Sequence, residues 1–303
     1  MAQADDGRPS YGLTDAVAGL EALIGQPHIS EEYVRFRIDL LKAQWAVCEA
    51  LDQARRPAST RDDDDGHQPS APVLTPERVE FDGDLLGSLC QSLRDAATKP
   101  GRAAGDLVRL AEVAQEQPDL LEELFRRAAF GPGRDQLESL GRRLEIGADA
   151  LLFAGRTLAA PFVTAAAQRV RPAGGRSPEA PPDSGSCSLC GSPPGLATLE
   201  QEEGKRFLYC SLCGDRYGFR RLACPHCGTR ESEALSYLRL DAADPRWIET
   251  CSKCNHYIKT IDTRKLPDRY PLIPIVEETA TLHLDLLAER EGCARALPYA
   301  ACV

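Results

Sequence analysis

Apolar residues recur at three- and four-residue steps through EEYVRFRIDLLKAQWAVCEALDQAR, residues 31–55, where Val34, Ile38, Leu41, Trp45 and Cys48 share one face. That period predicts an amphipathic helix. Ser30 is placed to cap it, and Glu31 and Glu32 put negative charge in the first turn, where the helix dipole favours it. The same patterning predicts helices over 83–98, 104–116, 118–130 and 134–169. The last becomes apolar in LLFAGRTLAAPFVTAAA and reads as a buried core helix. Pro161 is expected to kink or divide it, because proline has no amide hydrogen and crowds the preceding turn. No catalytic constellation falls in this half. It is expected to be a helical bundle that offers a groove to a partner.

The pattern changes near residue 187. Short runs (FLYC, YGFRRLAC, ALSYLRL, RWIETC and HYIKTID) alternate with cysteine pairs and read as strands. At the end, EETATLHLDLLAEREG predicts one more helix, with Val276, Ala280, His283 or Leu284, and Leu287 facing its support and Gly292 as its stop. Two stretches lack any apolar period: DDDDGHQPSAP, residues 62–72, reads as a solvated loop, and RPAGGRSPEAPPDSGS, residues 171–186, as a linker. The division expected is therefore a helical domain at 1–170, the linker at 171–186, and two cysteine-bearing modules at 187–223 and 224–303.

Length and charge narrow the function classes. A chain of 303 residues usually carries more than one core. Its net charge of −10 argues against general nucleic-acid binding. No run approaches eighteen uninterrupted apolar residues, and the start, MAQADDGRPSYG, has no basic segment followed by an apolar one. No membrane insertion and a cytoplasmic location are expected. In a reducing compartment, paired cysteines point to metal ligation or redox chemistry before structural disulfides.

Four C-x-x-C units carry the chemistry: Cys187/Cys190, Cys210/Cys213, Cys224/Cys227 and Cys251/Cys254. Two intervening residues let a tight turn aim both sulfurs at one ion. Such a turn needs a residue that tolerates positive φ just after the second cysteine, and Gly191, Gly214, Gly228 and Asn255 occupy those positions. Two turns complete a four-thiolate tetrahedral site. Nineteen residues separate Cys190 from Cys210 and twenty-three separate Cys227 from Cys251, enough in each case for a hairpin, whereas only ten separate Cys213 from Cys224. Consecutive sites are favoured: Cys187, Cys190, Cys210 and Cys213 in the first, Cys224, Cys227, Cys251 and Cys254 in the second. A cross-braced pairing is the alternative.

Thiolate ligation of this kind suits zinc and iron equally. His226 and His256 lie beside the knuckles but are not needed where four cysteines are available. Cys293 and Cys302 have no C-x-x-C partner and read as free thiols. Two other functions compete. Lys205, Arg206, Arg216, Arg220, Arg221 and Arg230, interleaved with Tyr209, Tyr217 and Phe219, would suit a tandem zinc ribbon that binds nucleic acid. The C-x-x-C pairs would also suit a thiol-disulfide oxidoreductase, although Gly or Asn after each pair fits metal knuckles better.

The runs CSLCGSPPG, RFLYCSLCGDRYGFRRLACPHCGT, ETCSKCNHYIKTID and TATLHLDLLAEREG, in this order, resemble the formate dehydrogenase accessory protein family, FdhE, over residues 187–293. The helical half is similar more loosely, through EEYVRFRIDLLKAQ and the apolar run at 151–167. The resemblance implies an α+β, multidomain architecture: an N-terminal α-helical domain, two rubredoxin-like (zinc-ribbon-like) metal-binding modules and a C-terminal helix. It implies iron in two sites, with the eight knuckle cysteines as ligands and zinc as the alternative ion. It implies a cytoplasmic, non-catalytic protein that binds the catalytic subunit of respiratory formate dehydrogenase and is needed for its activity, before that subunit leaves by the twin-arginine route. Nucleic acid is not among the implied partners, and a homodimer is left open. The DDDD loop, the Pro-rich linker and the ending RALPYAACV depart from the family pattern.

Overall fold

The computed structural model describes residues 11–54, 72–97, 102–130, 134–171 and 184–302. The N-terminal stretch before residue 11, nearly all of the expected 62–72 loop and most of the expected linker lie outside the described residues. The described chain is a mixed α and β structure. It has nine α-helices and one seven-stranded sheet.

The N-terminal part folds as helices α1 (Leu13–Glu21), α2 (Glu31–Gln53), α3 (Gly83–Ala96), α4 (Arg102–Glu116), α5 (Pro118–Phe130), α6 (Arg134–Leu144) and α7 (Ala148–Val170). The α2 face expected from the sequence is the buried one: Val34, Ile38 and Leu41 are in a core with α1, and Trp45 and Cys48 pack against it. Sequence periodicity did not reveal α1. Gly155 of α7 lets α5 approach closely, since a Cβ there would lie 2.5 Å from that of Ala128.

The helix expected over 134–169 is two helices, and the break is not at Pro161. Glu145 takes a left-handed φ of 59°, and the Ile146 amide donates to Gly141 O at 3.0 Å. This is a Schellman-type ending, and it closes α6. Pro161 instead lies inside an unbroken α7. The proline leaves the Thr157 carbonyl without its usual amide partner, and the buried Gln44 side chain fills the gap, donating through Nε2 to Thr157 O at 2.7 Å. Replacing Gln44 with leucine should therefore cost about 1–3 kcal/mol, the penalty of a buried unpaired acceptor. In a Pro161→Ala background, where the helix supplies its own amide, the loss should be smaller. Urea midpoints of the four proteins in this double-mutant cycle test it.

Ala148–Val170 is long and apolar enough to cross a bilayer, but 83% of its apolar window is buried inside the protein. Among the described residues no other helix meets that length and apolarity.

The C-terminal part forms the sheet. Its strands are β1 (Pro194–Glu200), β2 (Lys205–Cys210), β3 (Arg216–Phe219), β4 (Leu235–Leu238), β5 (Arg246–Cys251), β6 (His256–Asp262) and the short β7 (Ala294–Arg295). The order is β3-β2-β1-β6-β5-β4, with β7 beside β6. It is the same three-stranded antiparallel meander twice, joined where β1 runs parallel to β6. The β1–β2 pair fills the Cys190–Cys210 gap, where a hairpin was expected, although the run of β1 was not itself read as a strand; the junction with β6 was not expected.

The expected C-terminal helix is also two: α8 (Pro274–Ala280) and α9 (Leu282–Arg290). Thr279 and Thr281 each return a hydroxyl hydrogen bond to the carbonyl four residues back, at 2.8 and 2.7 Å, a contact that bends helices. Its single expected face divides accordingly. Val276 and Ala280 pack towards α1 and α2, whereas Leu284 and Leu287 pack on Ile248 and Tyr257.

Candidate metal centres

Each meander presents its knuckles at one end. The residue after the second cysteine has positive φ in all four: 73° at Gly191, 71° at Gly214, 74° at Gly228 and 55° at Asn255. That conformation turns the chain back on itself, so that the Gly191, Gly228 and Asn255 amides donate to the carbonyls of Cys187, Cys224 and Cys251 at 2.8–2.9 Å. The same turn aims amides at sulfur: Leu212 N donates to Cys210 Sγ and His226 N to Cys224 Sγ, both at 3.4 Å. Such donors stabilise a thiolate.

The structure gathers Cys187, Cys190, Cys210 and Cys213 into one cluster and Cys224, Cys227, Cys251 and Cys254 into another, with the sulfurs of each within 4.8 Å of one another. Pairing is consecutive and not cross-braced. In the first quartet, Sγ separations are 3.7 Å for Cys187–Cys213, 3.4 Å for Cys190–Cys210 and 3.6 Å for Cys190–Cys213. In the second, Cys224–Cys254 and Cys227–Cys251 are both 3.7 Å. A disulfide would need about 2.05 Å. A tetrahedron of sulfurs around an ion at about 2.3 Å has edges of roughly 3.8 Å. The quartets therefore fit a thiolate-bound ion, and either could hold one.

Their surroundings differ. All four cysteines of the first quartet are buried, inside the main core. In the second, Cys227 is exposed and Cys254 half-buried. In the first, hydrogen bonding with the neighbouring thiols holds the Cys190 pKa well below the ordinary thiol value and holds those of Cys187 and Cys213 well above it. Burial lifts Cys254 to about 11. A divalent ion must displace these protons to bind, so uptake releases protons.

The histidines stand beside the second quartet without joining it. The His226 and His256 rings are 5.4 Å apart, and His226 Nε2 is 3.2 Å from Tyr257 O. Burial, reinforced by His256, holds His226 down to about 4, so it is neutral at pH 7. Cys293 is half-buried. Cys302 is buried in the C-terminal tail with its sulfur 3.8 Å from that of Cys48, so both are thiols in contact.

Much of the basic cluster is used internally. Arg206 is buried and paired with Glu249 at 2.8 Å. Arg216 is paired with Glu200 at 2.5 Å and lies over the Phe207 ring at 3.6 Å. Tyr209 and Tyr217 are buried. Such rings and cations are not free to stack on bases or reach phosphates.

Sequence reasoning missed Arg156. It is fully buried on α7, with Nη2 donating to Ser211 Oγ at 2.8 Å and Nε to Pro298 O at 3.2 Å. Its one signal in the sequence is that it is the only charge within the seventeen-residue run LLFAGRTLAAPFVTAAA.

Residues 222–300 match the family model described as FdhE, C-terminal domain, a span that takes in the whole second quartet. Proteins named "Protein FdhE homolog" are similar over part of the chain. That of Aquifex aeolicus is 40% identical over 109 residues, 35% of this chain and 38% of the relative. That of Stutzerimonas stutzeri is 37% identical over 117 residues, 37% and 36% respectively. These alignments span little more than a third of the relatives' length. The crystal structure of the FdhE protein from Pseudomonas aeruginosa superposes with a TM-score of 0.67 over 99% of this chain and 98% of that one, at 20% identity. The C-terminal part of the chain thus matches the FdhE C-terminal domain, and its fold is similar to that of the Pseudomonas aeruginosa FdhE protein.

Proposed function

We propose that this chain is a non-catalytic accessory protein for the maturation of respiratory formate dehydrogenase. It binds the catalytic subunit in the cytoplasm and carries an ion, iron, in each quartet through the eight cysteines. The observation that supports this best is the pair of preformed four-sulfur clusters on an FdhE fold. When bound, iron would supply a thiolate-ligated one-electron centre. The chain's own residues supply the rest. The knuckle turns pre-aim the sulfurs, amide donors favour their anionic form, and the surrounding core keeps water from the first cluster. The helical part, residues 1–170, is the client-facing domain in this reading, and the cysteine modules at 187–223 and 224–303 are its metal-bearing partner. A polar cleft between α5 and α6 is lined by Glu123, Arg127, Asp135 and Arg143.

The test is formate-to-dye reductase activity in cells lacking the gene, complemented with wild type or with Cys224→Ser/Cys227→Ser. Activity should fall to background in the deletion and return with wild type only. Undiminished activity in the deletion overturns the reading.

A further inference from the structure

The first quartet draws a charge from outside its own module. A four-thiolate centre carries a net charge of −2 with a divalent ion and −1 with a trivalent one. Burying such a charge is costly unless a countercharge lies beside it. The four cysteines are buried, and among the described residues Arg206 and Arg216 of its own module are engaged elsewhere, Arg206 with Glu249 and Arg216 with Glu200. Arg156 reaches in from α7. Its guanidinium is wholly buried and bonds to Ser211, the residue between Cys210 and Leu212 in the second knuckle. The C-terminal tail closes the other side: Pro298 O accepts from Arg156 Nε, and the amides of Ala300 and Ala301 donate to Ser211 O at 2.7 and 3.1 Å. The third arm, Nη1, is buried with no hydrogen-bond partner among the described residues. A buried arginine with an unused donor, bonded to the residue that follows the ligand Cys210, lacks its anion.

We propose that Arg156 is the buried counter-cation of the first metal centre, a positioning residue through which the helical domain holds the ion and sets its reduction potential. This rests on the reading of the quartets as metal sites. Burial lowers the Arg156 pKa to about 10 against the opposing pull of the Cys210, Cys190 and Cys213 sulfurs, which leaves the guanidinium charged at pH 7. At the second centre the buried arginine is already neutralised: Arg206 donates to Ala223 O at 2.9 Å, next to Cys224, but is paired with Glu249 at 2.8 Å, and Lys253, in the knuckle itself, is exposed and paired with Glu231. The two centres therefore differ in kind. The first is closed and charge-compensated across a domain boundary, and the second is open. Net charge and solvent exposure are the properties that tune thiolate-bound iron.

The experiment uses the full chain. In zinc-loaded protein, a chromogenic chelator should draw off one equivalent fast, from the second quartet, and one slowly, from the first. Arg156→Gln should quicken the slow phase at least tenfold and leave the fast phase alone, and Arg156→Lys, which keeps the charge, should restore most of the delay. In iron-loaded Cys224→Ser/Cys227→Ser protein, where only the first centre remains, Arg156→Gln should shift the ferric–ferrous equilibrium at least tenfold towards ferric, a 59 mV fall for one electron. General loosening would admit water and move the potential upward instead, so the sign separates charge from structure. Should Arg156→Gln fail to fold, Arg156→Lys decides: a wild-type slow phase supports the proposal, and a lost slow phase in folded protein overturns it. Unchanged release and potential in Arg156→Gln, or equal quickening of both phases, also overturns it. If the protein takes zinc but no iron, the iron reading fails while the zinc release still decides on Arg156.

Discussion

Changing Cys190 and Cys213 to serine should unfold most of the protein, whereas changing Cys224 and Cys227 should leave the helical half and the first meander folded. The two quartets look alike as sulfur clusters and differ in what is built on them. The first lies in the same core as Leu158, Phe162, Leu189, Leu208 and Leu212, so helices and sheet meet on it. Its first knuckle is stitched to the chain leading into α3, with the amides of Val73 and Leu74 donating to Ser188 O and Leu189 O at 3.1 and 2.7 Å. Structural thiolate sites contribute an apparent ~10–16 kcal/mol in small domains, against a typical total stability of about 5–15 kcal/mol. Each buried serine hydroxyl left unpaired adds about 1–3 kcal/mol to the loss. A loss above about 5 kcal/mol is therefore expected for Cys190→Ser/Cys213→Ser. The second quartet is edged by a small cluster of Ile248, Tyr257, Leu284 and Ala288, and Cys227 faces solvent. Its loss should cost only a few kcal/mol and remain local. Urea denaturation followed by far-ultraviolet circular dichroism reads the first variant, and limited proteolysis mapped by mass reads the second. Equal destabilisation by the two pairs would show that neither quartet anchors the core.

The knuckles were legible because their requirements are local. Two cysteines, a two-residue spacer and a residue tolerant of positive φ all lie within five positions, and the observed φ at Gly191, Gly214, Gly228 and Asn255 follows from them. The α2 stripe was legible for the same reason. What stayed hidden depends on partners far along the chain. β1, PGLATLE, opens with Pro and Gly and is buried on nearly every residue, so it shows no alternation to read. Its parallel partner β6 begins more than fifty residues later, and parallel pairing leaves no turn signature. Pro161 does not divide α7, because the carbonyl it leaves open is met by Gln44, 117 positions earlier. Arg156 was visible only as a solitary charge in an apolar run, and its meaning depends on Ser211 and the tail.

Glu278→Ala should destabilise the C-terminal half by about 3–5 kcal/mol, the usual result of removing one member of a buried ion pair. Glu278 is buried between two cations: Lys259, also buried, at 3.2 Å, and Arg295, which it binds through its other oxygen. Asp285 joins the group, accepting from Lys259 at 2.6 Å and from the Tyr257 hydroxyl at 2.6 Å. Removing Glu278 leaves two cations sharing one half-buried carboxylate. The network also connects elements otherwise only in contact, since Lys259 is on β6, Glu278 on α8, Asp285 on α9 and Arg295 on β7. Burial alone would raise the Glu278 carboxyl, but Arg295 and Lys259 outweigh it and hold the pKa below the ordinary glutamate value. The folded pKa is thus below the unfolded one, about 4.3. The stabilisation is fully present above that value and is lost as pH falls through the folded pKa. Glu278→Gln keeps the shape and removes the charge, so it should lose stability at pH 7 yet converge on wild type in acid. Stability measured in urea from pH 7 to pH 3 checks both points. A constant gap between wild type and Glu278→Gln across that range would mean that Glu278 acts by packing and not by charge.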